Sequence, residues 1–201
     1  MDLGLTWSAP KCFTAYQCPQ TTNNLSYTDT NAAVAYQAGV WSVAWTTTNP
    51  TCCGGDKGSN KELVYSNSLD DGLTWSSAKL LMQFEAPGSD EGPMLTPLGG
   101  GKMVATFSTT RPKYATLSGL GPELDVVTAV STDNGRTWSV GGHMSIVDDT
   151  YDPAIGAPTD QNRGTAHVVL AGVPTTVAII QTEEGKQAPF SKSLFSSRYW
   201  T

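Results

Sequence analysis

Two stretches of this chain carry nearly the same eight residues. Ser68–Trp75 reads Ser-Leu-Asp-Asp-Gly-Leu-Thr-Trp, and Ser131–Trp138 reads Ser-Thr-Asp-Asn-Gly-Arg-Thr-Trp. A shortened copy near the start keeps four of the pattern residues: Asp2, Gly4, Thr6 and Trp7. The matching aspartates stand at positions 2, 70 and 133, at intervals of 68 and 63 residues. A repeat of this length predicts stacked or radially arranged units.

Each full copy predicts a tight turn between two strands. Gly72 and Gly135 supply the positive φ of a short hairpin connection. Asp70 and Asp133 are expected to accept backbone N–H groups of the same turn. The closing tryptophan should bury its ring beneath the sheet. We interpret the motif as a folding device, and its structural positions are Asp2, Gly4, Trp7, Ser68, Asp70, Gly72, Thr74, Trp75, Ser131, Asp133, Gly135, Thr137 and Trp138.

The remaining sequence favours an all-β fold. No long run has apolar residues at helical spacing, while 20 Gly and 12 Pro are spread along the chain. Short alternating or β-branched segments recur, each bounded by turn residues, at 32–36, 40–46, 61–66, 102–108, 125–130 and 165–171. Loops are expected at 85–93, 111–124 and 148–164. This rhythm predicts antiparallel sheets of about four strands.

The octapeptide resembles the Asp-box, or bacterial neuraminidase repeat, of the sialidase superfamily. That resemblance implies a β-propeller of four-stranded antiparallel blades. The chain would form a single sialidase-like portion, 1–201, with blade repeats near 8–75, 76–138 and 139–201. Sialidase propellers have six blades, so about three blades would be half of a ring. The same box also occurs in propellers that are not enzymes, so it does not fix a reaction.

An open arc of three blades would expose two sheet faces. Three solutions stay open: a second copy of the chain completes the ring, the remainder of a longer chain completes it, or the blades form an unusual small assembly. Because the first copy of the motif is shortened, a second copy of the chain and the remainder of a longer chain are about equally favoured.

Charge and composition exclude some classes of binding partner. The net charge is −6 and the sequence pI is near 4.7, which disfavours nucleic acid as a partner. No apolar run reaches the length of a membrane span. The sequence shows no phosphate-binding loop and no metal-ligand cluster, so no cofactor and no metal are expected.

The cysteines indicate an oxidising compartment. All four lie in the first repeat, and a disulfide between its loops is the leading interpretation, with the pairing left open among Cys12, Cys18, Cys52 and Cys53. Asn24 begins a glycosylation sequon. We therefore expect a secreted or cell-surface protein.

The resemblance also implies where chemistry would take place. Family enzymes work on the rim opposite the box turns, with three arginines on the substrate carboxylate, a tyrosine nucleophile and an acidic acid/base residue. Carboxylates and guanidinium groups suit this chemistry. The matching candidates on that rim are Glu91 and Asp152 as carboxylates, Tyr114 and Tyr151 as nucleophile, and Arg111 and Arg163 as clamp. Asp90, Asp148 and Asp149 lie in the same predicted loops.

The favoured function is hydrolysis of a terminal sialic acid or related sugar, provided that the ring is complete. The chain has only four arginines and no Arg-Ile-Pro motif. This shortage supports the alternative, a non-catalytic Asp-box propeller that binds carbohydrate or protein outside the cell.

Overall fold

In the computed structural model, the described residues are 28–49, 53, 60–82, 88–110, 113–114, 117–118, 125–143, 162–163, 167–169, 176–183 and 192–198. They form β-strands joined by turns. The strands are β1 (Asp29–Gln37), β2 (Val40–Thr47), β3 (Glu62–Ser68), β4 (Lys79–Leu80), β5 (Asp90–Gly99), β6 (Lys102–Thr109), β7 (Lys113–Tyr114), β8 (Leu117–Ser118), β9 (Asp125–Ser131), β10 (Ser139–His143), β11 (Asn162–Arg163), β12 (His167–Val169), β13 (Thr176–Glu183) and β14 (Lys192–Arg198). The predicted all-β class is confirmed.

The strands form three main antiparallel sheets. The first has the order β1-β2-β3-β4, and the second has the order β5-β6-β9-β10. In the third, β13 pairs with β14 on one side and with β11 and β12 on the other. A small hairpin of β7 and β8 lies between β6 and β9 in the chain. Each main sheet follows the chain as a meander, as short turn-bounded strands predict.

The sheets are offset from the sequence repeat. The strand after each turn motif pairs with the strand before it, β4 with β3 and β10 with β9. The first two sheets therefore span 29–80 and 90–143, whereas the repeat of the sequence spans 76–138. The reason is that the motif is a hairpin turn, and a hairpin joins strands of one sheet.

The main core lies between the first and second sheets. Leu63 and Tyr65 of β3 meet Phe107 of β6 and Val127 of β9, and all four are buried. Successive residues of a strand face opposite sides, so the alternation seen in the sequence selects these inward positions. Burying Phe107 alone stabilises the fold by about 2 to 3 kcal/mol. This contact fixes the two sheets face to face.

A second cluster covers the opposite face of the first sheet. Val43, Trp45 and Val64 form its buried part, and Trp75 and Leu80 are among the partly buried residues that pack against it. The first sheet thus carries apolar residues on both faces, although Val34 and Tyr36 on its edge strand β1 are about half exposed.

The connections leave the first two sheets at two opposite ends. We call the end with residues 38–39, 69–78, 99–101 and 132–138 the turn end. We call the end where β2, β4 and β6 finish and where β3, β5 and β9 begin the loop end; the described residues next to these strand ends are 48–49, 60–61, 81–82, 88–89 and 110. Both turn motifs are at the turn end, as the alternating strand directions require.

Candidate functional site

The first turn motif is closed by its own side chains. Asp70 Oδ1 accepts hydrogen bonds from the Thr74 N–H at 2.8 Å and the Ser68 hydroxyl at 2.8 Å, and its Oδ2 accepts from the Thr74 hydroxyl at 2.6 Å. Ser68 Oγ in turn accepts the Gly72 N–H at 2.8 Å. The Trp75 indole N–H donates to the Gly72 carbonyl at 3.2 Å. The contacts of the carboxylate are therefore internal to the turn.

The second turn motif repeats this pattern. Asp133 accepts the Thr137 N–H at 2.9 Å, the Thr137 hydroxyl at 2.6 Å and the Ser131 hydroxyl at 2.7 Å. It also accepts the Arg136 N–H at 3.1 Å. Ser131 Oγ accepts the Gly135 N–H at 2.8 Å. The predicted bonding of the aspartates is confirmed in both copies.

The backbone of both motifs has the predicted positive φ. Gly72 and Gly135 each have φ +83, and the residues before them, Asp71 and Asn134, have φ +54 and +62. Two successive residues of positive φ make a type I′ turn, whose twist matches antiparallel strands. Aspartate and asparagine tolerate this conformation better than other residues with a side chain.

The two tryptophans are half-buried, so the predicted burial of their rings beneath the sheet is only partial. Trp75 packs on the cluster of Val43, Trp45 and Val64. Trp138 packs against the main core, with its ring 6.3 Å from the Tyr65 ring in an edge-on arrangement. Each motif stands at the end of its sheet, so one side of the ring stays at the surface.

Hydrogen bonding sets the charge state of both aspartates. The Thr74 hydroxyl, followed by the Thr74 N–H and Ser68, lowers the pKa of Asp70 below its ordinary value. Desolvation raises the pKa of Asp133, but the bonds from Thr137, Ser131 and Arg136 together outweigh it and leave that pKa lowered. Both carboxylates are ionised at neutral pH and act as hydrogen-bond acceptors within their turns.

The turn end also joins the two sheets. The Gln37 amide donates to Asn134 Oδ1 at 3.0 Å and accepts the Gly99 N–H at 2.9 Å. The Tyr65 hydroxyl donates to the Arg136 carbonyl at 2.9 Å. Burial, and secondarily the charge of Asp133, raises the pKa of Tyr65, so the hydroxyl stays a donor. The turn motifs are thus anchored across the sheets as well as within themselves.

The loop end brings together residues far apart in sequence. The Asp90 N–H donates to the Lys61 carbonyl at 2.9 Å, and the Lys61 N–H donates to Ser89 Oγ at 3.3 Å. Ser89 and Thr110 exchange bonds, each through its N–H, at 2.9 Å. The starts of β3 and β5 are therefore held side by side, although they belong to different sheets.

Charged side chains lie on this framework. Lys61 Nζ donates to Glu91 Oε2 at 2.6 Å, and the Glu91 side chain remains 29% exposed. Asp90 beside it is fully buried, and Glu62 is nearly so. Neighbouring residues on a strand face opposite ways, which separates the accessible Glu91 from the buried Asp90. A carboxylate held by an ammonium group can accept a proton or a hydrogen bond at a position that solvent and ligand reach.

The predicted site residues are placed as follows. Asp90 and Glu91 were expected in a loop over 85–93, and this is wrong for both, because β5 begins at Asp90 through pairing with β6. Tyr114 was expected in an open loop and belongs instead to β7, which pairs with β8 in the segment of chain between β6 and β9. Arg163 belongs to β11 at the edge of the third sheet.

Other predicted positions lie outside the described residues: Arg111, Tyr151, Asp152, Asn24, Cys12, Cys18, Cys52, Asp2, Gly4 and Trp7. Their proposed roles stay predictions. Cys53 is disulfide-bonded, and the pairing stays a prediction as well.

Lys61 and Glu62 are loop-end residues that sequence reasoning missed. The available signal was a charged pair at the start of an apolar strand, directly after a segment rich in glycine and serine. Such a pair is ordinary in sequence, and only the pairing of distant strands sets it beside Glu91. Within the residues described, no group of three or more His, Cys, Asp or Glu side chains is arranged to hold a metal ion. In the same residues, no helix has the length and apolar character needed to cross a membrane.

No family model matches this chain, and no curated protein matches its sequence. Among solved structures, it resembles a protein of unknown function from Dyadobacter fermentans, with 19% identity and a TM-score of 0.54 over 86% of this chain and 51% of the other. It also resembles a Hadza microbial sialidase, with 16% identity and a TM-score of 0.56 over 84% of this chain and 35% of the other. The fold is shared. The chain spans about half of the first protein and about a third of the second.

Proposed function

We propose that this protein processes glycans, as part of a β-propeller glycoside hydrolase that acts on a terminal sialic acid or a related sugar at the loop end. The contrast between the two ends carries the proposal. At the turn end, the carboxylates of Asp70 and Asp133 already accept hydrogen bonds within their own turns. At the loop end, Glu91 is accessible and bonded to Lys61. The fold shared with a sialidase is consistent with this use of the loop end.

The propeller architecture is part of the proposal. β1, β5 and the pair β11 and β12 are edge strands that begin their sheets. β1 lies beside β5, and β5 lies near β12. Edge strands that approach one another in this way are the innermost strands around a propeller axis. Substrate would then bind near this axis, where the start of β5 carries Glu91.

The chemistry of glycoside hydrolysis gives each candidate residue a role in the proposal. Hydrolysis of a glycosidic bond needs two carboxyl groups, or one with a substitute nucleophile, on either side of the anomeric carbon. Glu91, fixed by Lys61, is the acid/base or partner carboxylate that the structure supports. Asp152 is the second carboxylate, and Tyr114 or Tyr151 the nucleophile. Arg111 and Arg163 are the proposed clamp for a substrate carboxylate.

We expect Glu91→Gln to lower kcat/KM about 100-fold or more, because the amide cannot exchange a proton. The measurement is fluorophore release from umbelliferyl glycosides of sialic acid, galactose and arabinose between pH 4 and pH 8. Asp71→Asn is the matched control, since it also removes one carboxylate, but at the turn end. Absence of turnover with every sugar would favour the non-catalytic binding module.

The ring needs further blades, and we propose that a second copy of the chain can supply them. Val34 and Tyr36 on the edge strand β1 are about half exposed, and both face away from the second sheet. An exposed apolar sheet face of this kind is a surface on which a further blade can pack.

We expect light scattering to give about twice the chain mass of 21.3 kDa. Val34→Glu should return the mass to that of one chain, because it places a charge in the contact. Leu73→Glu is the control, because Leu73 is exposed on the first turn motif away from β1. A single-chain mass for the unaltered protein would contradict pairing of two copies.

A secreted or cell-surface location is also proposed. The disulfide bond of Cys53 supports it, because such bonds persist mainly in oxidising compartments.

A further inference from the structure

The turn end carries a cavity that the proposed hydrolysis does not use. It has a volume of about 440 Å³ and lies where the first turn motif meets the second. Trp75, Lys79, Leu69 and Arg136 line it. Ligand sites for small molecules have volumes of several hundred Å³, so this cavity suits one or two sugar rings.

Trp75 offers a fixed aromatic surface there. One side of its ring packs on Val43, Trp45 and Val64, and its indole N–H is held by the Gly72 carbonyl at 3.2 Å. The ring is therefore restrained before any ligand binds, and the rest of it lines the cavity. A rigid, half-buried aromatic ring stacks on the C–H face of a sugar with little loss of side-chain entropy.

Two cations converge on the same cavity from different sheets. Lys79 is the register partner of Tyr65, so both point to the face of the first sheet that packs on the second, whereas Trp75 packs on the other face. The cavity reaches both side chains because it lies at β4, the edge strand of the sheet. The Tyr65 hydroxyl holds the backbone of Arg136 at 2.9 Å. Neither the Lys79 ammonium group nor the Arg136 guanidinium group forms an ion pair within the part of the chain that the structure describes.

The charge balance selects the ligand. Asp70 also lines the cavity, but its oxygens are bonded to Ser68 and Thr74. Two positive side chains and one ionised carboxylate leave the cavity with a net charge of about +1. A single negative group is therefore favoured, and polyanions are opposed by the net charge of −6 on the whole chain.

We infer that this cavity, between the two turn motifs, is a second saccharide-binding site, which takes a sugar that bears one carboxylate or sulfate group. The sugar ring stacks on Trp75, and the anionic group bonds to Lys79 and Arg136. Such a site binds a glycan at the end of the sheets opposite the loop end. It does not depend on any hydrolytic activity of the loop end.

The test is titration of the 201-residue protein with three methyl glycosides: glucuronide, galactose 6-sulfate and neutral galactoside. Binding is followed by the indole N–H signals in NMR, with Trp75→Phe used to assign Trp75. We expect the Trp75 signal to shift with one or both anionic sugars, and the stronger of the two identifies the anionic group. Arg136→Gln and Lys79→Gln should each weaken binding about fivefold or more.

Two controls keep this site separate from the loop end. Lys102→Gln removes a cation from the same end of the sheets but outside the cavity, so it should leave binding unchanged. Glu91→Gln should also bind as the unaltered protein does, whether or not hydrolysis is observed. Equal binding of the neutral sugar, unchanged binding by Arg136→Gln, no shift at about 50 mM sugar, or loss of binding in folded Glu91→Gln would each overturn the inference.

Discussion

Gly135→Ala is expected to destabilise the protein by about 3 to 4 kcal/mol, whereas Gly72→Ala should cost only about 1 to 2 kcal/mol. The two glycines occupy the same position of the repeated motif and have the same φ of +83. The backbone strain of an alanine is therefore the same at both. A Cβ at Gly135 would lie 2.5 Å from Ser42 Oγ and 3.1 Å from the buried Met103 Sδ, while a Cβ at Gly72 would meet only Trp75, at 3.9 Å.

The difference between the two variants isolates packing from backbone strain. Urea denaturation, followed by tryptophan fluorescence, gives the free energy of unfolding for each. Adding Ser42→Ala to Gly135→Ala should recover part of the loss, because it removes the oxygen that the new Cβ would strike. Equal losses for Gly72→Ala and Gly135→Ala would show that the second turn motif does not pack on the first sheet.

Asp133→Ala is expected to cost about 3 kcal/mol, since it removes the acceptor of four hydrogen bonds and leaves their donors to water. The partners are Ser131, Thr137 through two groups, and Arg136. This loss in the free energy of unfolding is less than four times the contribution of one charged hydrogen bond, because the carboxylate is partly solvated. Asp71→Asn is the control: it removes a carboxylate from the first turn motif, at the position beside Asp70, where the Asp71 side chain has no hydrogen bond among the described residues.

The same carboxylate should make stability depend on pH. The pKa of Asp133 is lower in the folded than in the unfolded state, so its contribution is present above pH about 4 and is lost as the pH falls through the folded pKa. Asp70 acts in the same direction. The urea midpoint should fall between pH 5 and pH 2, and Asp133→Asn should flatten that fall. A slope unchanged by Asp133→Asn would contradict the assignment.

The turn motifs are the part of the structure that the sequence predicts best. The positive φ of Gly72 and Gly135 and the bonding of Asp70 and Asp133 follow from eight adjacent residues, and the structure has them as predicted. Most strand positions follow in the same way from local alternation. The start of β5 was missed because pairing with β6 extends that strand to Asp90, in a segment with turn-forming residues.

The candidate site depended much more on long-range contacts. Glu91 could be named from sequence as a carboxylate on the expected rim, but its ion pair with Lys61 joins residues 30 apart in the chain, and Lys61 directly precedes a strand of the other sheet. Burial separated Asp90 from Glu91, although the two are adjacent and chemically alike. The meeting of Lys79 with Arg136 at the turn end depends on the same packing of the two sheets.

The sequence by itself determined the turn motifs, the all-β class and the end of the sheets at which each connection lies. These features depend on neighbouring residues and on the alternation of strand direction, both of which are visible in a short window. The tertiary structure decided which sheet each post-turn strand joins, why Gly135 is more constrained than Gly72, and which charged side chains meet at each end. Those outcomes depend on the packing of one sheet against another, because that packing brings together residues that no local pattern connects.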